Sequence, residues 1–226
     1  MNMLDFETTV KTRQSIRQFL PTPMSRSEIE RVLADAQNAP SACNTQPWHV
    51  HIVSGETLRR VGKVIAEKFA KQEFTPDFEF DQSKFGGIYE PRWRNQYKHV
   101  FTDSFGVARE DKEGRAAVIQ RNAEFYGAPH VAFLFMPSID NHDVNVAADM
   151  GMYSQTFMLS LTARGFGSIP MLFLGLFADD IRCELGVSDE FKLLHGISFG
   201  HPDWDAMPNQ KHLGRVPVNE SAVLHW

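Results

Sequence analysis

Apolar positions along the chain recur with two periods, and each period predicts an element. Ser25 and Glu28 form a capping box, after which Ile29, Val32, Leu33 and Ala36 return at helical spacing until Pro40 closes the helix. Trp48, Val50 and Ile52 alternate with polar neighbours as in a half-buried strand ended by Ser54-Gly55. Leu58, Val61, Ile65 and Phe69 then mark a second amphipathic helix. Val131 to Phe135 is an unbroken apolar run, the mark of a buried strand. Val146, Met150, Tyr153, Phe157 and Leu161 stripe a long helix that stops at Arg164-Gly165, where glycine allows the left-handed exit. Strands at roughly 168–174 and 194–199 complete a sheet of about four strands separated by helices, which defines an α/β (α+β) layered fold with a mixed sheet flanked by helices.

Two segments fall outside this scheme. Between Phe74 and Phe105 lie Phe78, Phe80, Phe85, Tyr89, Trp93, Tyr97 and Phe101, interrupted by Pro76, Gly86, Gly87 and Pro91, with no sustained period. A long aromatic insertion of this kind is a candidate lid, residues 74–105. The tail from Pro208 to Trp226 is also irregular and ends in Val223-Leu224-His225-Trp226, which a lone monomer has difficulty burying. It is expected to pack on a second subunit.

Length and composition narrow the class. A chain of 226 residues, 42% of them hydrophobic, is read as one domain spanning 1–226. Its 18 Phe, 4 Trp and 4 Tyr exceed what a plain core needs, so some rings are available to a ligand. The net charge of −5 supplies no global positive field, which argues against nucleic acid or an anionic membrane as partner. The start at Met1 to Asp5 lacks a secretory pattern, and the longest apolar run, Pro170 to Ala178, falls well short of the roughly 20 residues that cross a bilayer. Two cysteines, Cys43 and Cys183, are not needed as a bridge in a chain of this size, so a reducing, cytoplasmic setting is expected and the sequon at Asn219 is incidental.

Candidate chemistry is concentrated in two places. Arg13-Gln14-Ser15-Ile16-Arg17 puts two guanidinium forks on one face if helical, and Arg13, Ser15 and Arg17 on one side if extended; either way it is a cradle for phosphate or carboxylate, with Ile16 and Phe19 as its anchors. Two solvated surface arginines are the plainer alternative. Ala39 to Trp48 sets Ser41, Asn44 and Gln46 between Pro40 and Pro47, a rigid loop able to approach a flat polar ligand, or simply a connection.

Arg13 to Arg17, followed by Ala39-Pro40-Ser41 with Asn44, Gln46, Pro47 and Trp48, resembles the N-terminal signature of the FMN-dependent nitroreductase family. Met150 to Gly167 resembles that family's central helix and its exit, Ser168 to Met171 its flavin-edge strand, and Asn209 to Arg215 with Pro217 its closing basic motif. The resemblance implies a nitroreductase-like fold and an interwoven homodimer whose tails, residues 208–226, wrap the partner. It implies bound FMN, held by Arg13, Gln14, Ser15 and Arg17, by Arg215 and Lys211 or His212 from the tail, by Ser41, Asn44 and Gln46, and by the backbone around Pro170, Met171 and Leu172. NAD(P)H would be a transient hydride donor in a ping-pong reduction of nitroaromatics or quinones, and Phe85, Tyr89, Trp93 and Tyr97 would stack on the aromatic acceptor. No catalytic side chain is required, because the flavin carries the chemistry. Reductive dehalogenation on the same scaffold is the alternative, for which Glu90, Arg92, Arg94 and Lys98 are the lid charges available to a zwitterion; a flavin-binding protein without turnover is another.

This chain departs from the family pattern at Cys43, for which a buried and inert thiol is the simpler expectation than a reactive one, at the apolar Met171-Leu172-Phe173, and at His212, which stands where an arginine is common. Other signals carry less. Gly196-Ile197-Ser198-Phe199-Gly200 matches a nucleophile elbow, yet His201-Pro202-Asp203-Trp204 opens a turn rather than the helix an elbow requires. His49 with His51, and Asp140 with His142 and Asp143, lack a third metal ligand at fixed spacing. Gly165-Phe166-Gly167 is a helix stop rather than a dinucleotide loop, and Arg109 to Glu113 reads as a solvated helix face.

Overall fold

A computed structural model describes residues 3–139 and 142–226 of the chain. Four strands, β1 (His49–Ser54), β2 (His130–Pro137), β3 (Gly167–Met171) and β4 (Phe191–Gly200), form one sheet in the order β1-β2-β4-β3. Every pairing between these strands is antiparallel. The parallel component of the expected mixed sheet is confined to the isolated bridges Ser15–Ser168 and Thr75–Phe177. Among the described residues seven α-helices surround the sheet: α1 (Phe6–Thr12), α2 (Arg26–Ala36), α3 (Gly55–Lys71), α4 (Glu90–Lys98), α5 (Lys112–Ala123), α6 (Asp143–Ala163) and α7 (Ala178–Leu185).

Strand β2 explains the two-sided core. Its side chains alternate between faces, and both faces are covered, so the strand reads as continuous apolar sequence. Val131, Phe133 and Phe135 pack with Leu58, Val61 and Ile65 of α3 and Ile181 of α7, while Ala132, Leu134 and Met136 pack with Val32 and Ala36 of α2 and with α6. The α2 capping box is complete: Glu28 N–H donates to the Ser25 hydroxyl, and the Glu28 carboxylate accepts from Ser25 N–H at 2.7 Å. Helix α6 ends as read, with Gly165 at φ 81°.

Three expectations change. The insertion is not irregular throughout, because Tyr89, Trp93, Tyr97 and Phe101 recur every four residues from the N-cap of α4 through the helix and the π turn at His99–Ser104 that extends it. Pro91 sits in the first turn, where its missing N–H costs nothing. The third strand stops at Met171 rather than near 174, as Leu172–Leu176 winds into a 3-10 turn. Of the charge run, only Lys112 and Glu113 are helical; Asp111 is the N-cap of α5, accepting from Gly114 N–H at 2.8 Å.

Ser198 is buried within β4 and donates to Met171 Sδ at 3.0 Å, so the elbow pattern is a strand interior. His49 stacks on Phe191 and His51 sits edge-on to Phe135. Asp140 lies outside the described residues; among these, no group of three potential metal ligands occurs. Both cysteines are free and exposed, and no described helix is long and apolar enough to cross a membrane.

His195 on β4 faces Ser154 of α6, Nε2 lying 3.0 Å from the hydroxyl, and burial holds its pKa down to about 4. The native state therefore keeps it neutral while the unfolded chain titrates near 6.5. Stability from this group is full above the unfolded value and declines as pH falls toward the folded one, by about 2 kcal/mol between pH 7.5 and pH 5. Urea midpoints at the two pH values should draw together in His195→Gln; an unchanged gap would assign the acid sensitivity to other groups.

Candidate active site

Helix α1 ends at Arg13, whose N–H closes on Thr9 O, and the chain then runs extended beside β3. Ile16 N–H donates to Ser168 O at 3.0 Å, and Ile16 and Phe19 sink into the core. This approach needs Gly167, since an added Cβ there would stand 2.6 Å from Ile16 Cγ1. The extended alternative is thus the one realised, with Arg13, Ser15 and Arg17 at alternate positions. Arg17 Nη1 donates to Ser15 O at 3.3 Å.

The tail joins this strand through Asn209, which is 1% exposed. Its Oδ1 accepts from Arg17 N–H at 2.8 Å, its Nδ2 donates to the carbonyls of Gln18 and Asp203 at 2.7 Å each, and its own carbonyl accepts from Gln14 Nε2 at 3.0 Å. His212 and Arg215 follow on the same stretch. Arg13 is held below the usual arginine range by burial and by the positive charge of Arg215; burial likewise lowers Arg17, partly offset by Tyr126. His99, in the π turn, is lowered by burial, by Arg17 and by His212, with Asp103 opposing. Five basic groups from three parts of the chain are thus linked in two sets, Arg13 with Arg215 and His99 with Arg17 and His212, and among the described residues Arg13, Arg17 and Arg215 form no ion pair with a carboxylate. Lys211 is exposed nearby on the tail.

The second half of the site is the loop after α2. Cys43, Asn44 and Gln46 have φ of 51°, 55° and 50°, left-handed values that cost non-glycine residues on the order of 1 kcal/mol or more each. Asp149 of α6, buried, accepts Ala42 N–H with both oxygens at 3.0 and 3.2 Å, and the Ser41 hydroxyl accepts Gln46 N–H at 2.9 Å. Gln46 Nε2 caps Asn44 O, and Trp48 Nε1 donates to Gln37, whose amide reaches Gln46. The loop is braced from behind, leaving Asn44 and Gln46 exposed. Cys43 is exposed as well, contrary to the expectation of a buried thiol, because the left-handed turn carries it outward. Pro170 on β3 and Leu172 in the turn that follows face outward while the Met171 side chain enters the core, so Met171 can meet a ligand only through its backbone.

The insertion presents Phe85, Tyr89 and Tyr97 to solvent, with Trp93 half-buried between them. Trp93 Nε1 donates to Phe85 O at 3.2 Å, and Tyr97 donates to Gln82 Oε1 at 3.0 Å. A cavity of about 500 Å³ lies between this insertion and the turn after β3, lined by Phe78, Phe80, Tyr97, Leu172, Phe173 and Leu194 among others. Gln14 and His212 line a separate cavity of about 340 Å³ beside α1. The lid and the strand end thus line one of these cavities, and Gln14 and His212 the other. Asp149, Tyr126 and His99 were not singled out by sequence; Asp149 alone had a local signal, a carboxylate on the otherwise apolar stripe between Val146 and Tyr153.

An antiparallel sheet with helices on both faces and arginines without carboxylate partners among the described residues at its edge define an α+β protein suited to holding an anion. The chain belongs to the nitroreductase family, whose model matches residues 10–201. It is 37% identical to the nitroreductase NfnB of Mycolicibacterium smegmatis over 95% of this chain and 90% of that one. It is 30% identical to a 4-nitrobenzoate reductase of Pseudomonas putida, over 93% and 91%. The crystal structure of the FMN-dependent NfnB from Mycobacterium smegmatis in complex with NADPH superposes with a TM-score of 0.93 at 35% identity, over 97% of each chain. An FMN- and NADPH-dependent NfnB from Sphigopyxis sp. strain HMH gives 0.93 at 31% identity, over 99% of this chain and all of that one.

Proposed function

We propose that the chain is an FMN-dependent oxidoreductase that takes hydride from NAD(P)H and reduces nitroaromatic, quinone or similar electron-poor acceptors. The observation that carries this reading is that Arg13, Arg17 and Arg215 have no carboxylate partner among the described residues, while Arg13 feels the charge of Arg215 and His99 that of Arg17 and His212. A donor set of guanidinium forks and a serine hydroxyl fits a phosphate dianion. Arg13, Ser15, Arg17 and Arg215 would hold the phosphate, with His212 rather than Lys211 beside them because His212 already faces His99 and Gln14. The braced loop at Ser41 to Gln46 and the end of β3 with the turn after it, Pro170 to Leu172, would flank the ring. When bound, FMN supplies hydride transfer between the nicotinamide and the acceptor. What the chain contributes is binding, orientation and exclusion of water.

Lid charges favour flat neutral acceptors over a zwitterion. Glu90 and Arg94 pair with each other at 2.7 Å, and Arg92 pairs with Glu220 at 3.3 Å, so three of the four candidate charges are already engaged. Arg94 also lies over the Trp93 ring at 4.7 Å, and Arg92 over Tyr89 at 5.7 Å, which braces the rings as stacking surfaces.

The same reading includes a homodimer. Phe6 and Val10 on α1, Val144 and Met152 on α6, and Val218, Val223, Leu224 and Trp226 on the tail are exposed in the single chain, Trp226 completely. Apolar surface on three elements, together with a site left open, is what a second copy would cover.

Three outcomes are expected. Purified protein is yellow or can be reconstituted with FMN, and Arg13→Ala weakens FMN by about 1.5 to 3 kcal/mol, roughly 10- to 150-fold in Kd; a protein that cannot take up FMN contradicts the reading. Trp93→Ala changes the ratio of kcat/KM between nitroaromatic and quinone acceptors at unchanged flavin occupancy, whereas flavin loss would move this segment into the cofactor site. In sedimentation the full chain runs as a dimer and a chain ended after Pro217 shifts toward monomer; an unaltered dimer rules out the tail as its seal.

A further inference from the structure

The bonds of Asn209 do more than bury a polar side chain. Both amide N–H groups and the amide oxygen are engaged, and each partner is main chain: Arg17 N–H, Gln18 O and Asp203 O. The surrounding donors and acceptors admit one amide orientation only, with oxygen toward an N–H and nitrogen toward two carbonyls. Its backbone carbonyl adds the bond from Gln14 Nε2. Three of these four bonds end on residues 14–18, the strand that carries Ser15 and Arg17, while His212 and Arg215 lie three and six positions further along the tail. The π turn bearing His99 packs on the 3-10 turn Met207–Asn209 from a third direction.

We propose that Asn209 is a positioning residue of the phosphate pocket, fixing the strand of Arg13, Ser15 and Arg17 against the tail of His212 and Arg215 so that their charges converge. This rests on the reading of that pocket as the FMN phosphate site. Convergence is what makes the clamp necessary: Arg13 and Arg215 repel one another and, among the described residues, no ion pair joins the tail to the strand, so neutral hydrogen bonds to main chain hold the two together. Asparagine meets the requirement because aspartate lacks the two donors and serine is too short to span three main-chain groups.

Flavin-free full-length protein titrated with FMN and with riboflavin tests this, because the two ligands share a ring and differ in the phosphate. Wild type should bind FMN more tightly. Asn209→Asp should weaken FMN about tenfold or more while leaving riboflavin within about twofold, so that the preference collapses. Equal weakening of both flavins would reduce Asn209 to general support of the fold and overturn the proposal, as would an unchanged preference. Should Asn209→Asp fail to fold by circular dichroism, Asn209→Ser is read by the same ratio with the same two outcomes. A wild type that binds both flavins alike sinks the phosphate reading and the clamp together; a wild type that prefers FMN beside a variant that keeps the preference sinks the clamp alone.

Discussion

Like charges held together govern the edge of this sheet. Arg13 is depressed first by burial and then by Arg215, and His99 by burial, Arg17 and His212, so groups from the N-terminal strand, the insertion and the tail feel one another's charge. Such repulsion amounts to a few kcal/mol for close pairs near a protein surface at an effective dielectric of about 20. It is tolerated because apolar packing fixes the backbone that carries the charges: Ile16 and Phe19 lock the strand, Gly167 lets it lie close, and Asn209 ties the tail to it. An anion with two negative charges turns that stored repulsion into binding.

The opposite side of the site is prepared by backbone rather than by charge. Three left-handed residues in five would relax if the loop were unsupported, and Asp149 and Ser41 oppose this by accepting the N–H groups of Ala42 and Gln46. The insertion adds rings in a four-residue stripe and a cavity that reaches Leu172 at the end of the edge strand. Rigid loop, strand edge and aromatic stripe suit a flat ligand, whereas the arginines suit its charged end.

Local signals made much of this legible in the sequence. The α2 capping box, the stripe of α6, the glycine exit and the continuous apolar β2 each report on residues within a few positions, and each element formed where read. The short α1 and α7 and the weakly amphipathic α5 gave no comparable pattern, and α4 was hidden because Pro91 and the paired glycines Gly86 and Gly87 masked a regular spacing of rings. Within the site, Arg13, Ser15 and Arg17 were recognisable as a motif, but the choice between helical and extended geometry depended on Ser168, far along the chain. Asp149 reaches Ala42 across 107 positions and Asn209 reaches Arg17 across 192, contacts that only the folded topology creates. The exposure of Cys43 was likewise set by backbone handedness, which composition does not encode.

The central claim is that the uncompensated arginines receive a phosphate. A crystal structure of the protein loaded with FMN tests it most directly. The phosphate is expected within hydrogen-bonding distance of Arg13, Ser15 and Arg215, with the ring between the Ser41–Gln46 loop and Pro170 to Leu172. A phosphate bound elsewhere on the chain, with Arg13 and Arg215 still unpaired, would contradict the account.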